Sequence, residues 1–228
     1  MADWQHVTGN GRFVDDRVNG VERIRVSREN PDPVVMARAA GVLASGGLVI
    51  FPTDTLYGLA ADPRNGDAVA RVFEAKTRPA GQALPLIASD LEQVEGFAGV
   101  LSPATRRLAE RFWPGPLTLI VDAPRGIAAA VHGGTGSVAV RVPDHPVARA
   151  LAGRFAYPVV ATSANRSGDA ASHVPDDASA AFEGIADVLL DSGPTTGGEP
   201  SSIVDARSGT PVLIRAGAIP FTRVLEAL

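Results

Sequence analysis

Short apolar runs alternate with amphipathic segments along most of this chain, and each pattern predicts one kind of element. Residues 21–26 alternate apolar and charged side chains, as a half-buried strand does, and residues 68–75 carry apolar side chains at helical spacing. No repeat and no long linker divides the chain, so we predict one α/β domain, a twisted mixed β-sheet flanked by helices on both faces. Further strands are predicted at residues 48–51, 84–88, 117–121, 137–143, 158–161, 187–190, 203–205 and 212–215.

Helix starts are marked by side chains that can accept a hydrogen bond from the first free backbone N–H groups. Asp32, followed by a proline, predicts a helix to Ser45, and Asp144 predicts another to about residue 153. The remaining helices are predicted to start near Asn65 or Asp67, Ser89-Asp90, Ser102-Pro103, Pro175 and Ile219-Pro220.

The chain is organised around residues 47–63, where a buried strand breaks into a polar loop. Thr53, Asp54 and Thr55 have side chains that bond local backbone and favour tight turns, and Gly58 is free to adopt a positive φ. Open α/β sheets bind ligands in such loops at the carboxyl ends of strands. The alternative is an ordinary exit from a strand into a loop.

Composition narrows the class of protein. The composition, with 45% hydrophobic and 20% charged residues, is that of a globular protein. At 228 residues the chain is long enough for a substantial core. It has no cysteine and its four histidines are scattered, so neither thiolate chemistry nor a metal site is predicted. The net charge of −4 argues against coating of nucleic acid but allows a local basic cleft.

The first residues lack a signal-peptide pattern and no apolar run is long enough for a membrane span, so we expect a cytoplasmic protein. Residues 1–20 are interpreted as a polar extension and residues 21–228 as the domain.

The candidate chemistry is electrostatic. The sequence contains no P-loop and no G-x-S-x-G nucleophile motif. Several predicted strands end in hydroxyl-bearing or glycine residues with isolated cations nearby, which suits a polyanionic ligand held by position and charge. Lys76 is the only lysine among 21 basic residues, which indicates a position that needs a compact ammonium group. The alternative is an accidental surface lysine.

Motifs in a fixed order along the chain give a more specific signal. The motifs are residues 51–59 (FPTDTLYGL), 76–79 (KTRP) with 85–87 (PLI), 113–118 (WPGPLT), 140–143 (VRVP) with His145-Pro146, 163–168 (SANRSG), and 198–202 (GEPSS) with 215–217 (RAG). Together they resemble the YrdC-like family, in its short, single-domain form.

The resemblance implies an L-threonylcarbamoyladenylate synthase, a nucleotidyltransferase with a basic concave cleft. Such an enzyme condenses L-threonine, bicarbonate and ATP to threonylcarbamoyl-AMP and pyrophosphate. The product serves tRNA modification through downstream threonylcarbamoyl-transfer proteins. The resemblance also implies Mg²⁺ at the phosphates and allows direct contact with tRNA or RNA. Two alternatives remain at this point: a YrdC-like module that binds RNA without synthase activity, and an unrelated nucleotide-binding domain.

The family's site residues carry over by motif. The catalytic residues implied are Lys76 and Arg78, and no general base stands out, although Asp54 is one candidate if it does not merely order its loop. The sequence departs from the family pattern at Ser89, Thr162 and Ala216, and in a longer connector between Arg78 and Pro85. The implied threonine contacts are Thr53, Arg141, Ala161 and Ser201, and the implied ATP contacts are Lys76, Arg78, Ser137, Ser163, Asn165, Ser172 and Arg215.

Overall fold

The structure is a computed structural model that describes residues 17–77, 81–165 and 172–228. In these ranges one eleven-stranded sheet has the order β1-β2-β9-β3-β4-β8-β5-β7-β6-β10-β11. The strands are β1 (Arg17–Val18), β2 (Val21–Arg25), β3 (Val49–Pro52), β4 (Tyr57–Ala61), β5 (Leu86–Ile87), β6 (Leu117–Asp122), β7 (Ser137–Arg141), β8 (Val159–Ser163), β9 (Val188–Asp191), β10 (Ser202–Asp205) and β11 (Val212–Arg215). The helices are α1 (Pro33–Ala44), α2 (Gly66–Ala75), α3 (Leu91–Ala98), α4 (Pro103–Phe112), α5 (Ala129–His132), α6 (Pro146–Phe155), α7 (Pro175–Ala181) and α8 (Phe221–Leu225).

Side chains of β3 alternate between two cores, which shows that the sheet is a middle layer. Leu48, just before β3, and Ile50 pack with α2, α3 and α7 on one face. Val49 and Phe51 pack with α1 and α6 on the other face. Since successive strand residues point to opposite faces, helices must cover both sides of the sheet, as the sequence predicts. The parallel pairs β2–β9, β3–β9, β5–β7 and β6–β10 stand among antiparallel ones, so the sheet is mixed.

The predicted helix caps are largely confirmed. The Asp32 side chain accepts the Val34 N–H at 2.7 Å, and Asn65 caps α2. The cap of α6 is different. Its N-cap residue is His145, which makes no side-chain cap bond, so the prediction that Asp144 caps this helix is wrong. Pro146 at the first helical position lacks an N–H and already has a helical φ, so the helix can begin there without a side-chain cap.

The stretch predicted as a loop at Gly58 is a strand. Gly58 belongs to β4, whose residues are all buried, and it is not among the glycines with positive φ. A Cβ at Gly58 would lie 3.0 Å from the Phe51 ring, so glycine is favoured here by close packing and not by backbone conformation. The polar loop is therefore short, residues 53–56, between β3 and the antiparallel β4.

At one edge of the sheet β1 pairs with β2 through Arg17 and Val18. These residues fall within the predicted extension, most of which lies outside the described residues, and the boundary at residue 20 stays a prediction. None of the helices in the described ranges is long and apolar enough to cross a membrane.

Candidate active site

The loop between β3 and β4 is a turn closed by the Thr53 hydroxyl. Its Oγ1 donates to the Leu56 carbonyl at 2.6 Å and accepts the N–H groups of Thr55 and Leu56, each at 3.2 Å. A hydroxyl has one donor and two acceptor positions, and all three are used by the turn. The Thr53 side chain thus orders the loop that carries Asp54. Its predicted contact with a substrate threonine is not tested by this geometry.

Arg141, at the end of β7, contacts this loop although β3 and β7 are not neighbours in the sheet. Three strands lie between β3 and β7, so in a flat sheet the two strands would be about 19 Å apart. Yet Arg141 Nη2 lies 2.6 Å from Asp54 Oδ1, and only 9% of the Arg141 side chain and 14% of the Asp54 side chain are exposed. Burial lowers the pKa of Arg141, the Asp54 carboxylate raises it, and the positive charge of Arg215 lowers it. The pair is a nearly buried cation held beside its counter-ion.

Ser201 and Arg215 form a second cluster, and the positive charge of Arg215 lowers the pKa of Arg141. Arg215 Nη2 donates to the Ser201 carbonyl at 2.7 Å and to its hydroxyl at 3.2 Å. The hydroxyls of Ser201 and Thr118 are 2.7 Å apart. A Cβ on Gly217 would lie 2.2 Å from the Pro200 carbonyl oxygen, so the strand that carries Arg215 can approach Ser201 this closely only because residue 217 has no side chain.

Lys76 is buried, with 4% of the residue exposed, which rules out the alternative of an accidental surface lysine. It is the C-cap residue of α2. Its Nζ donates to the Ser163 carbonyl at 2.8 Å, to the Ser163 hydroxyl at 3.2 Å and to Asn165 Oδ1 at 3.0 Å. The structure thus brings together three of the residues predicted to bind ATP, at the carboxyl end of β8.

This lysine cluster borders the same loop as the Arg141 pair. Ser163 pairs with Gly58 across β4 and β8, and the Ala164 N–H donates to the Tyr57 carbonyl at 2.8 Å. The Ser172 carbonyl accepts the Tyr57 N–H at 3.0 Å, which places Ser172 at the start of β4. The loop after β3 therefore joins the two groups of predicted site residues.

The remaining predicted residues are less closely linked. Ser137 begins β7, and its hydroxyl is 3.2 Å from that of Thr135. The Ala161 N–H is donated to the Pro85 carbonyl at 2.8 Å. The Ser89 hydroxyl donates to Asp90 at the start of α3. Arg78 lies outside the described residues.

Sequence reasoning missed Asp54 as the counter-ion of Arg141 and missed the threonines that hold its loop. Thr195 Oγ1 donates to the Thr55 carbonyl at 2.8 Å, and Thr196 Oγ1 donates to the Asp54 carbonyl. A hydroxyl-rich loop after β9 was visible in the sequence, but no local signal assigns it to a turn about 140 residues away.

Comparison with known proteins identifies the family to which this chain belongs. The model of the Sua5/YciO/YrdC family, described as "Telomere recombination", matches residues 41–217. The chain belongs to this family.

Particular relatives are more informative. The chain is 40% identical over 194 residues to a Threonylcarbamoyl-AMP synthase of Pyrococcus abyssi, covering 83% of this chain and 56% of that protein. It is 37% identical to a Threonylcarbamoyl-AMP synthase of Thiobacillus denitrificans, covering 80% of this chain and 95% of that protein. A crystal structure of P. abyssi Sua5 complexed with L-threonine superimposes with a TM-score of 0.84 at 36% identity, covering 90% of this chain and 60% of that one. The chain thus spans little more than half the length of the P. abyssi protein and nearly all of the T. denitrificans one.

Proposed function

We propose that this chain is an L-threonylcarbamoyladenylate synthase. It would condense L-threonine, bicarbonate and ATP to threonylcarbamoyl-AMP, pyrophosphate and water. The observation that carries this proposal is the likeness to the threonine complex of P. abyssi Sua5 over 90% of the chain. It is supported by the T. denitrificans synthase, which is matched over nearly its whole length.

The Arg141 cluster is the proposed threonine side of the site. A charged guanidinium forms strong hydrogen bonds to a carboxylate, and Arg141 Nε and Nη1 remain as donors that bond no described residue. The Ser201 hydroxyl, placed by Thr118 and Arg215, offers a polar contact beside it. Since the Ala161 N–H is already donated to Pro85, any contact from Ala161 would come from elsewhere in that residue.

The Lys76 cluster is the proposed phosphate side. Lys76 and Arg78 would stabilise charge on the triphosphate, while hydroxyl, amide and guanidinium groups position the nucleotide. The carbamate formed from threonine and bicarbonate attacks the α-phosphorus, the bond to the β-phosphate oxygen breaks, and pyrophosphate leaves. The proposed positioning residues are Ser137, Ser163, Asn165, Ser172 and Arg215.

Mg²⁺ would enter with the nucleotide. No group of three or more histidine, aspartate or glutamate side chains suited to a metal occurs among the described residues. Mg²⁺ commonly binds substrate phosphates and keeps several waters, so a protein cage is not needed. The proposed setting is the cytoplasm, where downstream proteins would transfer the threonylcarbamoyl group to tRNA.

The test is direct. Purified protein is incubated with ATP, threonine and ¹⁴C-bicarbonate, and we expect threonylcarbamoyl-AMP and pyrophosphate in equal amounts. Reactions without threonine, or with chelator in place of Mg²⁺, serve as controls. If no labelled adenylate forms while the protein stays folded, the proposed activity is wrong.

A further inference from the structure

The ion pair between Asp54 and Arg141 uses only part of each side chain. The single contact joins Arg141 Nη2 to Asp54 Oδ1. Asp54 Oδ2 and the other two guanidinium nitrogen atoms make no hydrogen bond with any residue in the ranges that the structure describes. Both side chains are nearly buried, so a free acceptor of Asp54 and free donors of Arg141 lie on either side of one short contact.

We propose that Asp54 binds the α-ammonium group of the amino-acid substrate, so that Asp54 and Arg141 together recognise a zwitterion. This inference rests on the proposed function, because it assigns a second half to the same threonine site. Arg141 holds the substrate carboxylate through its vacant donors, and Asp54 Oδ2 accepts from the ammonium. Asp54 thereby determines specificity for amino acids over hydroxy acids that lack an amine.

Charge balance explains why the pair is useful. A carboxylic acid without an amine would place a second anion beside Arg141, close to the Asp54 carboxylate, and like charges in a nearly buried site repel strongly. A zwitterion brings its own cation, which compensates Asp54 while its carboxylate compensates Arg141. A bound zwitterion therefore leaves the net charge of the site unchanged.

The loop is built to hold Asp54 in place. The Thr53 hydroxyl closes the turn on both sides of it, and Thr195 and Thr196 bond the carbonyls of Thr55 and Asp54. Preorganisation of this kind reduces the ordering cost of binding. A carboxylate that merely satisfied Arg141 would not need a backbone fixed both by its own turn and by a second segment.

The first test uses the unaltered protein and three ligands in calorimetry: threonine, 2,3-dihydroxybutyrate (which lacks the amine) and threonine methyl ester (which lacks the carboxylate charge). We expect each analogue to bind at least tenfold more weakly than threonine. If 2,3-dihydroxybutyrate binds as tightly as threonine, Asp54 does not recognise the ammonium group.

The second test changes the residue. Asp54→Asn keeps the shape and a possible bond to Arg141 but removes the negative charge. We expect threonine affinity to fall at least tenfold and the affinity for 2,3-dihydroxybutyrate to stay equal or rise. The control Glu110→Gln removes a carboxylate from the exposed pair with Arg106 and should leave both affinities unchanged.

The outcomes separate the two levels of the proposal. If the unaltered protein binds threonine and forms threonylcarbamoyl-AMP, but Asp54→Asn weakens both ligands equally, the inference about Asp54 is wrong and the proposed function stands. If the unaltered protein binds no threonine, both are wrong. Should Asp54→Asn fail to fold, the ligand series on the unaltered protein decides alone.

Discussion

Arg141 and Arg215 lie close enough for the charge of Arg215 to lower the pKa of Arg141, and burial lowers the pKa of both, yet their partners differ. Arg141 is nearly buried and faces the Asp54 carboxylate. Arg215 is exposed on the edge strand β11, and within the described ranges it donates only to the two oxygen atoms of Ser201. One cation is partnered by a charge, and the other is held by neutral atoms.

The difference separates two ways of preparing a site for an anion. A buried cation needs a counter-ion to remain charged and in place, so it is suited to a ligand that supplies both signs of charge. An exposed cation keeps its charge in water and is suited to a ligand with surplus negative charge, such as a polyphosphate. We therefore expect substitution of Arg141 to lower both stability and ligand affinity, and substitution of Arg215 to lower ligand affinity with little effect on stability.

The largest expected effect is that of Arg141→Ala. Removing one partner leaves Asp54 without its cation in a nearly buried position, which should lower the free energy of unfolding by about 3 kcal/mol. Threonine affinity should fall more than tenfold, because the substrate carboxylate loses its partner, while ATP affinity should fall much less. Chemical denaturation and calorimetry with each ligand measure the two effects.

Arg106→Ala on the protein surface is the matched control and should leave threonine binding unchanged. Intact threonine binding in a folded Arg141→Ala protein would place the amino-acid pocket elsewhere, and the other threonine contacts would fall with it.

Local signals in the sequence predict those parts of the fold that depend on neighbouring residues. Asp32 and Ser102 mark the starts of α1 and α4 because their side chains bond N–H groups two or three residues away. Strand β4 was missed because residues such as Gly58 and the alanines have weak strand preference. It forms because β3 and β8 lie on either side of it and provide hydrogen-bond partners.

The site residues also divide into those that local sequence motifs predict and those that only the three-dimensional contacts reveal. Motif resemblance named Arg141, Ser201 and Lys76, and the structure places each beside other predicted residues. The Asp54 counter-ion could not be predicted, since it lies 87 positions from Arg141 and on a strand exit that is not a neighbour of β7 in the sheet. Nor could the sequence show that the Thr53 hydroxyl is fully occupied by its own turn.

His145 is another buried ionisable group and, unlike Arg141, it makes no hydrogen bond to a counter-ion among the described residues. It is 1% exposed, and neither ring nitrogen bonds any group in the described ranges. Burial, with Arg28 and Arg149, lowers its pKa to about 4, and Asp144 and Glu29 oppose this only in part. Between pH 4 and the unfolded pKa of about 6.5, the unfolded chain binds a proton that the folded protein does not. Stability should thus decrease by up to about 3 kcal/mol as the pH falls through this range.

Urea denaturation at several pH values measures this slope. His145→Leu should flatten the slope between pH 4 and 6.5, whereas His173→Gln, on an exposed side chain, should preserve it. An unchanged slope in His145→Leu would show that other groups set the acid sensitivity.

Gly217→Ala tests the contrast between the two arginines by displacing Ser201, the uncharged partner of Arg215. The new methyl group would meet the Pro200 carbonyl and the Ser201 backbone, all closer than 3 Å, so the segment must shift. Overpacking of this kind costs about 1–3 kcal/mol. We also expect weaker threonine binding, because Ser201 moves. Gly41→Ala in α1 is the control, since its methyl group meets nothing within 4 Å and should stabilise the helix slightly. Equal stability effects of the two changes would contradict the predicted close approach.

Arg215→Gln should have the smallest effect on stability. Glutamine can still donate to Ser201, and exposed substitutions usually change the free energy of unfolding by no more than about 0.5 kcal/mol. Loss of the positive charge should nevertheless weaken ATP binding more than threonine binding, which calorimetry with both ligands would show. Arg223→Gln, an exposed arginine on α8, controls for the general loss of charge. If Arg215→Gln unfolded as readily as Arg141→Ala, Arg215 would be a structural cation like Arg141, and the contrast between the two sides of the site would not hold.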